Sequence, residues 1–175
     1  VWRLMYNSDY GVFNQVLRAL GGSGIQWLSD SRFAMMSVVI VAIWTRLGQQ
    51  IIIMIGAITN VSRTYYEAAD IDGAGPFRKL MSITVPMVSP SIFFLMITGF
   101  IDALKQFDIV YMLSHKRTAP GLSAVRTIIH KYYMEAFDTL DKAYASAIVI
   151  LAFLIIMVFT IVQFVAQKKW VHYDN

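Results

Sequence analysis

Glu67, Asp70 and Asp72 stand close together in the run Tyr66-Glu67-Ala68-Ala69-Asp70-Ile71-Asp72-Gly73-Ala74. Carboxylates at this spacing offer charge to basic groups on a partner, and the small Ala68 and Ala69 let another surface come near. Thr64 and Glu67 have capping-box spacing, so the sequence predicts a short helix starting at Thr64, with Gly73 suited to the sharp turn after it. A second polar set lies in otherwise apolar sequence. At about 100° per residue, Ser91, Thr98, Gly99, Asp102, Lys105 and Gln106 fall within an arc of about 120°, while Ile92, Phe93, Phe100 and Ile101 point elsewhere. Ionisable groups at membrane depth usually face a bundle interior or a watery cavity, so Ser91, Thr98, Gly99, Asp102 and Gln106 are candidates to line a polar route. Two other readings stand beside that one: Asp102 and Lys105, at i and i+3, neutralise each other, or this end of the stretch already lies outside the hydrocarbon. Arg46 with Gln49 and Gln50 also shares a face, either as a structural partner for Asp102 or as a pathway group.

Catalytic signatures are missing from the sequence. It has no G-x-x-x-x-G-K-[ST] phosphate loop, no G-x-S-x-G elbow and no H-E-x-x-H pair. His115, His130 and His172 lie far apart with no ligand partner at i+3 or i+4, so they are read as surface residues and no metal site is expected. The absence of cysteine excludes disulfides, thiolate metal sites and cysteine nucleophiles. No catalytic residue is therefore assigned.

The elements that must position these residues follow from composition. The 175 residues are 57% apolar and 15% charged, against about 25% charged in an average soluble domain. A mean hydropathy of +0.56 excludes a disordered chain. The net charge of +4 is scattered and forms no basic stripe with interleaved aromatics, which argues against nucleic-acid binding. Three stretches suit a hydrocarbon core that takes about 20 helical residues to cross. The stretch 143–166 carries no charge, with Lys168, Lys169, Trp170 and Tyr173 beyond it as interfacial anchors. The stretch 34–58 is apolar except for Arg46, Gln49 and Gln50, and 87–113 is apolar until it meets Asp102, Lys105 and Asp108. The ten Met and eleven Phe residues are packing and lipid-facing residues of these spans.

Residues 59–86 join the first two spans as a polar, turn-rich loop punctuated by Gly73, Gly75, Pro76 and Pro86. Between the last two, a loop with Pro120 and Gly121 leads into an amphipathic segment over 122–141, marked by Ile128, Ile129, Tyr132, Tyr133, Ala136, Phe137 and Leu140. The first 33 residues read as a loop with short helical pieces, broken at Gly21, Gly22 and Gly24, with Trp2 and Trp27 as interface candidates. The chain starts at Val1 without a basic and apolar leader, as expected of a C-terminal part lacking its natural N-terminus. Charge does not orient the spans. The side holding 59–86 and the C-terminus has five Lys and Arg residues and the other has eight, and in a C-terminal part the expected earlier spans are the ones that usually dominate that rule.

The run from Tyr66 to Ala74, followed by Ile83-Thr84-Val85-Pro86, closely resembles the EAA loop of ABC importer permease subunits: Glu-Ala-Ala, three residues, Gly, nine residues, Ile-x-Leu-Pro. Val85 replaces the usual Leu, and Ser62 stands where many relatives carry Pro, a change expected to loosen the start of the loop helix. Phe107-Asp108-x-Val110-Tyr111-x-Leu113 and Tyr144-Ala145-Ser146-Ala147 are similar to the carbohydrate-uptake branch. The resemblance implies an all-α membrane protein: three transmembrane helices of a type I permease bundle that usually has six, with the EAA loop in the cytoplasm of a bacterial or archaeal cell. It implies that Tyr66, Glu67, Ala68, Ala69, Asp72, Gly73, Ala74 and Pro86 meet a cytoplasmic ATPase, so that ATP and Mg belong to that partner and this chain binds no cofactor. The other implied partners are a second permease subunit, identical or paralogous, an extracytoplasmic solute-binding protein and membrane lipid. The implied cargo is a sugar, polyol or glycerol phosphate. The alternatives from other classes are an ion-gradient transporter using Asp102 and Asp108, and a structural membrane subunit without a transport path.

Overall fold

The computed structural model describes residues 1–113 and 124–172. Among them no strand occurs. The helices in chain order are α1 (Trp2–Met5), α2 (Val12–Ala19), α3 (Ser31–Thr59), α4 (Arg63–Ile71), α5 (Pro76–Lys79), α6 (Val85–Met87), α7 (Ser89–Leu104), α8 (Asp108–Leu113), α9 (Ile128–Tyr133) and α10 (Lys142–Gln167). Single π turns fill Leu80–Thr84 and Met134–Asp138. Helices α3 and α10 are each long and apolar enough to cross a membrane, as 34–58 and 143–166 lead one to expect.

The middle span differs from the expected 87–113. Its apolar helix ends at Leu104, Lys105–Phe107 are not helical, and α8 begins at Asp108. The break has two physical causes. Asp108 lies in the first turn of α8, where the helix dipole favours a carboxylate, and Val110 and Leu113 are buried, which re-aims the chain after Leu104. The Gln106 carbonyl freed by the break accepts from Thr127 Oγ1 at 2.7 Å. At its other end α7 extends backward: Pro76–Met87 and Ser89–Leu104 together have the length and composition of one span, bent by 64°. Pro90, which has no N–H to offer the Pro86 carbonyl, accounts for the bend at Val88, and Ser89 Oγ takes that carbonyl instead.

The chain divides into two compact units, each built around part of a long helix. The first comprises Val1–Thr45 with Leu104–Ala152. Its core is Tyr6, Ala34, Val38, Val41, Val110, Leu113 and Val125, with Trp2, Phe13 and Trp27 packed against them. Trp2 and Trp27, the candidates for a membrane interface, are members of an aromatic cluster with Tyr6 and Phe13, and Asn14 holds the segment that carries Trp27. Fully buried, Asn14 donates to the Ser8 and Ile25 carbonyls and accepts from Ile25 N–H and Trp27 Nε1, so each of its polar atoms is satisfied. The N-terminal region is otherwise as expected, short helices α1 and α2 in irregular chain.

His130, expected on the surface, is 4% exposed beside the Phe107 ring. Burial pushes its pKa below the ordinary histidine value, and the charge of Arg126 adds to that. His172 is exposed as expected, and His115 lies outside the described residues. The amphipathic segment is not one helix. Its residues 122 and 123 lie outside the described part; the rest runs as α9, capped by Thr127 Oγ1 accepting from His130 N–H at 3.2 Å, then the π turn, then Leu140 at φ +59°.

The second unit comprises Arg46–Ala103 with the chain from Phe153 onward. Here α7 packs on the second part of α10: Phe93 meets Phe164 at 5.4 Å, and Phe100 meets Phe159 at 4.8 Å between ring centroids. Trp170, expected to anchor at an interface, sets its ring edge-on to Phe93 at 6.1 Å. Tyr173 lies outside the described residues.

Candidate functional site

The loop after α3 is a built element. Helix α4 starts two residues earlier than its capping-box spacing predicts: the N-cap is Ser62, whose Oγ accepts from Thr64 N–H at 3.4 Å and lies 2.8 Å from Thr64 Oγ1. Ser62 therefore starts this helix where it was expected to loosen it, and Thr64 lies inside the first turn. The other end closes by a Schellman motif. Gly73 N–H donates to the Asp70 carbonyl at 3.0 Å and Ala74 N–H to the Ala69 carbonyl at 2.9 Å, with Gly73 at φ +70°. That left-handed conformation is the reason for glycine at this position.

No residue of α4 is buried. Glu67, Ala68, Asp72 and Gly73 are exposed, whereas Tyr66, Ala69 and Ala74 are half-buried. Toward the chain that follows, Tyr66 Oη lies 2.9 Å from Thr84 Oγ1, and Asp70 pairs with Lys79. Ala69, Asp72 and Ala74 share a small cleft with Arg78 and Ser82. Pro86 sits in α6, half-buried, just before the bend. Sequence reasoning missed Thr84 as a member of this group; its place in Ile83-Thr84-Val85-Pro86 was the available signal.

The polar arc on the middle span is brought together in part. Thr98, Gly99 and Asp102 line a cleft of about 250 Å³ together with Arg46, Gln49 and Gln50 of α3. Arg46 Nη1 donates to Asp102 Oδ2 at 2.7 Å. Asp102 thus finds its ion partner on α3, as one of the two readings of Arg46 has it, and not in Lys105 one turn along. Ser91 does not line the cleft. Gln106 cannot share the helical arc, because the helix ends at Leu104. Asp108 opens α8. Among the described residues no group of histidine and carboxylate side chains could hold a metal ion.

Comparison with known proteins gives the family and the fold. A family model described as "Binding-protein-dependent transport system inner membrane component" matches residues 9–172. Over 161 residues the chain is 35% identical to the trehalose/maltose transport system permease protein MalF of Thermococcus litoralis, covering 92% of this chain and 53% of that protein. It is 33% identical to the sulfoquinovosyl glycerol transport system permease protein SmoG of Agrobacterium fabrum, covering 93% of this chain and 52% of the relative. With the sn-glycerol-3-phosphate transport system permease protein UgpA of Pectobacterium atrosepticum it shares 29% over 99% of this chain and 58% of that one. The chain spans about half the length of these relatives. The crystal structure of a bacterial ABC transporter involved in the import of the acidic polysaccharide alginate superposes with a TM-score of 0.83 over 96% of this chain and 58% of that chain, at 20% identity, which shows a shared fold.

Proposed function

The chain belongs to the binding-protein-dependent transport system inner membrane components, and from that premise we propose that it is the C-terminal part of a permease subunit which imports a sugar, polyol or glycerol phosphate. ATP is hydrolysed on a separate cytoplasmic ATPase pair, which binds ATP and Mg and receives α4. A second permease subunit, identical or paralogous, completes the pathway, and an extracytoplasmic binding protein delivers the cargo. The observation that carries this reading is α4 itself: a helix without a buried residue, closed by a Schellman turn, held between α3 and the bent span. Small residues at Ala68 and Ala69 and carboxylates at Glu67 and Asp72 suit a protein partner that approaches closely with basic groups. The cleft of Arg46, Gln49, Gln50, Thr98 and Asp102 is our candidate for part of the cargo route, since amide and hydroxyl groups match sugar hydroxyls. An ion-gradient mechanism would want Asp102 free to take up and release a cation, and Arg46 already neutralises it. The test is purification of the full-length subunit from its own membranes. An ABC ATPase and a solute-binding protein should accompany it; a stable complex that transports cargo on an ion gradient with no ATPase would overturn the proposal.

A further inference from the structure

Two buried hydroxyls lie where α4 joins the span that follows it. Thr84, 8% exposed, closes the π turn, and its Oγ1 lies 2.9 Å from Tyr66 Oη. Ser89, 2% exposed, sits at the 64° bend. Its Oγ donates to the Pro86 carbonyl at 2.6 Å and accepts from the backbone N–H of His172 at 2.9 Å. His172 follows α10, close to the Trp170 ring set against Phe93. A continuous line of bonds therefore leads from the loop helix to the π turn, to the bend and to the chain leaving the last span.

The covalent link along the same route turns at two glycines. Gly73 and Gly75 flank the turn, and nothing lies within 4 Å of a Cβ placed on either. Besides Tyr66–Thr84, the side-chain link between α4 and α5 is the Asp70–Lys79 pair, whose carboxylate side chain is 66% exposed, and exposed pairs hold weakly. A displacement of α4 would be absorbed in the turn unless something less yielding spans it. We propose that Thr84 and Ser89 are positioning residues for energy coupling: Thr84, through Tyr66, makes α4 and the bent span move as one body, and Ser89 passes that movement to the end of α10. This rests on the reading of α4 as the element that meets the ATPase. A π turn suits such a joint, since these turns occur mostly as single inserts at functional positions.

The test uses the assembled transporter with the full-length subunit in proteoliposomes, with substrate-loaded binding protein, and reads cargo transported per ATP hydrolysed. Thr84→Val keeps the shape and removes the hydroxyl. The ratio should fall roughly fivefold, the effect of one net hydrogen bond on a two-state equilibrium, while the ATPase stays on washed membranes. Thr84→Ser should restore the ratio. Tyr66→Phe should lower it to the same extent, and Tyr66→Phe with Thr84→Val should be no worse than either alone, as for two partners of one bond. Ser89→Ala should lower it as well. Unchanged ratios in Thr84→Val and Ser89→Ala, or loss of the ATPase from membranes in which the Thr84→Val subunit is inserted at normal level, would overturn the proposal. If the Thr84→Val subunit does not reach the membrane, the contrast between Tyr66→Phe and Thr84→Ser decides. Gly73→Val separates the two ideas: normal ATPase retention and uptake there would defeat the docking role of α4 itself, whatever Thr84 does.

Discussion

Gly73 stands at φ +70° with open space around the position of a Cβ, so a side chain is opposed there by backbone strain and not by a clash within the chain. An ordinary residue in this conformation costs about 1–2 kcal/mol, and Asn tolerates it much better than a β-branched residue. Gly73→Asn should therefore keep most of the ATPase on washed membranes, while Gly73→Val loses it with the subunit still inserted at near-normal level. Equal loss in both variants would assign the glycine to close approach by a partner surface. The Arg46–Asp102 pair permits a second test. Removing one member leaves an unmatched charge beside apolar helix, whereas removing both leaves none. Asp102→Asn should lower the amount of subunit in the membrane and its melting temperature in detergent, and Asp102→Asn with Arg46→Gln should recover part of both. A double variant no better than the single one would mean that the pair is not mutually compensating.

Ser62 and Thr64 show how an element's start is decided. Both are good capping residues, and Glu67, three residues after Thr64, favoured Thr64 on pattern. The backbone selects Ser62, which lies at φ −60° and ψ 135°, the extended conformation that an N-cap needs. Ser62→Ala should raise hydrogen-exchange rates of the α4 amides several-fold, matching about 1 kcal/mol for a lost cap, and Thr64→Ala should change them little. Equal acceleration in the two variants would return the cap to Thr64. Helices α3 and α10 were legible because uninterrupted apolar runs need no tertiary information. The middle span was legible at its apolar heart and illegible at both ends. Its C-terminal stop depends on Val110 and Leu113 finding a core formed by Tyr6, Ala34 and Val38, residues distant in sequence. Its N-terminal extension runs through a π turn, for which the 3.6-residue period gives no signal. The loop motif was legible as a pattern of residue types. The bonds from Tyr66 to Thr84 and from His172 N–H to Ser89 were not, because the partner a hydroxyl finds leaves no periodicity. The burial of His130 was not legible either, because the lack of a ligand partner at i+3 or i+4 says nothing about whether a ring such as Phe107 packs over it.

At the scale of the whole chain, apolar surface is the deciding quantity. Along α10, Ile150, Leu151, Phe153, Val158, Ile161, Val162 and Val165 are exposed, and along α3 so are Ile43, Trp44, Ile51, Ile52 and Ile55. Contiguous apolar patches beyond a few hundred Å² are rare on soluble monomers, and on helices of 29 and 26 residues they extend along the full length. Lipid tails or neighbouring helices are what can cover them, because every backbone group inside a helix is already satisfied and no bond to water is lost on insertion. Burial of this surface then opposes extraction in a graded way. High salt and alkaline washing, which remove proteins held by charge, should leave the subunit in the membrane pellet, and a detergent above its micelle concentration should release it. Placing a charge in the middle of the uncharged run should weaken insertion: Leu151→Arg is expected to cost about 2.5–3.5 kcal/mol at the centre of a span. Lys168→Glu, beyond the end of α10, should cost far less. Monodisperse recovery of the unmodified chain in aqueous buffer, or equal membrane levels for Leu151→Arg and Lys168→Glu, would mean that α10 does not cross the bilayer.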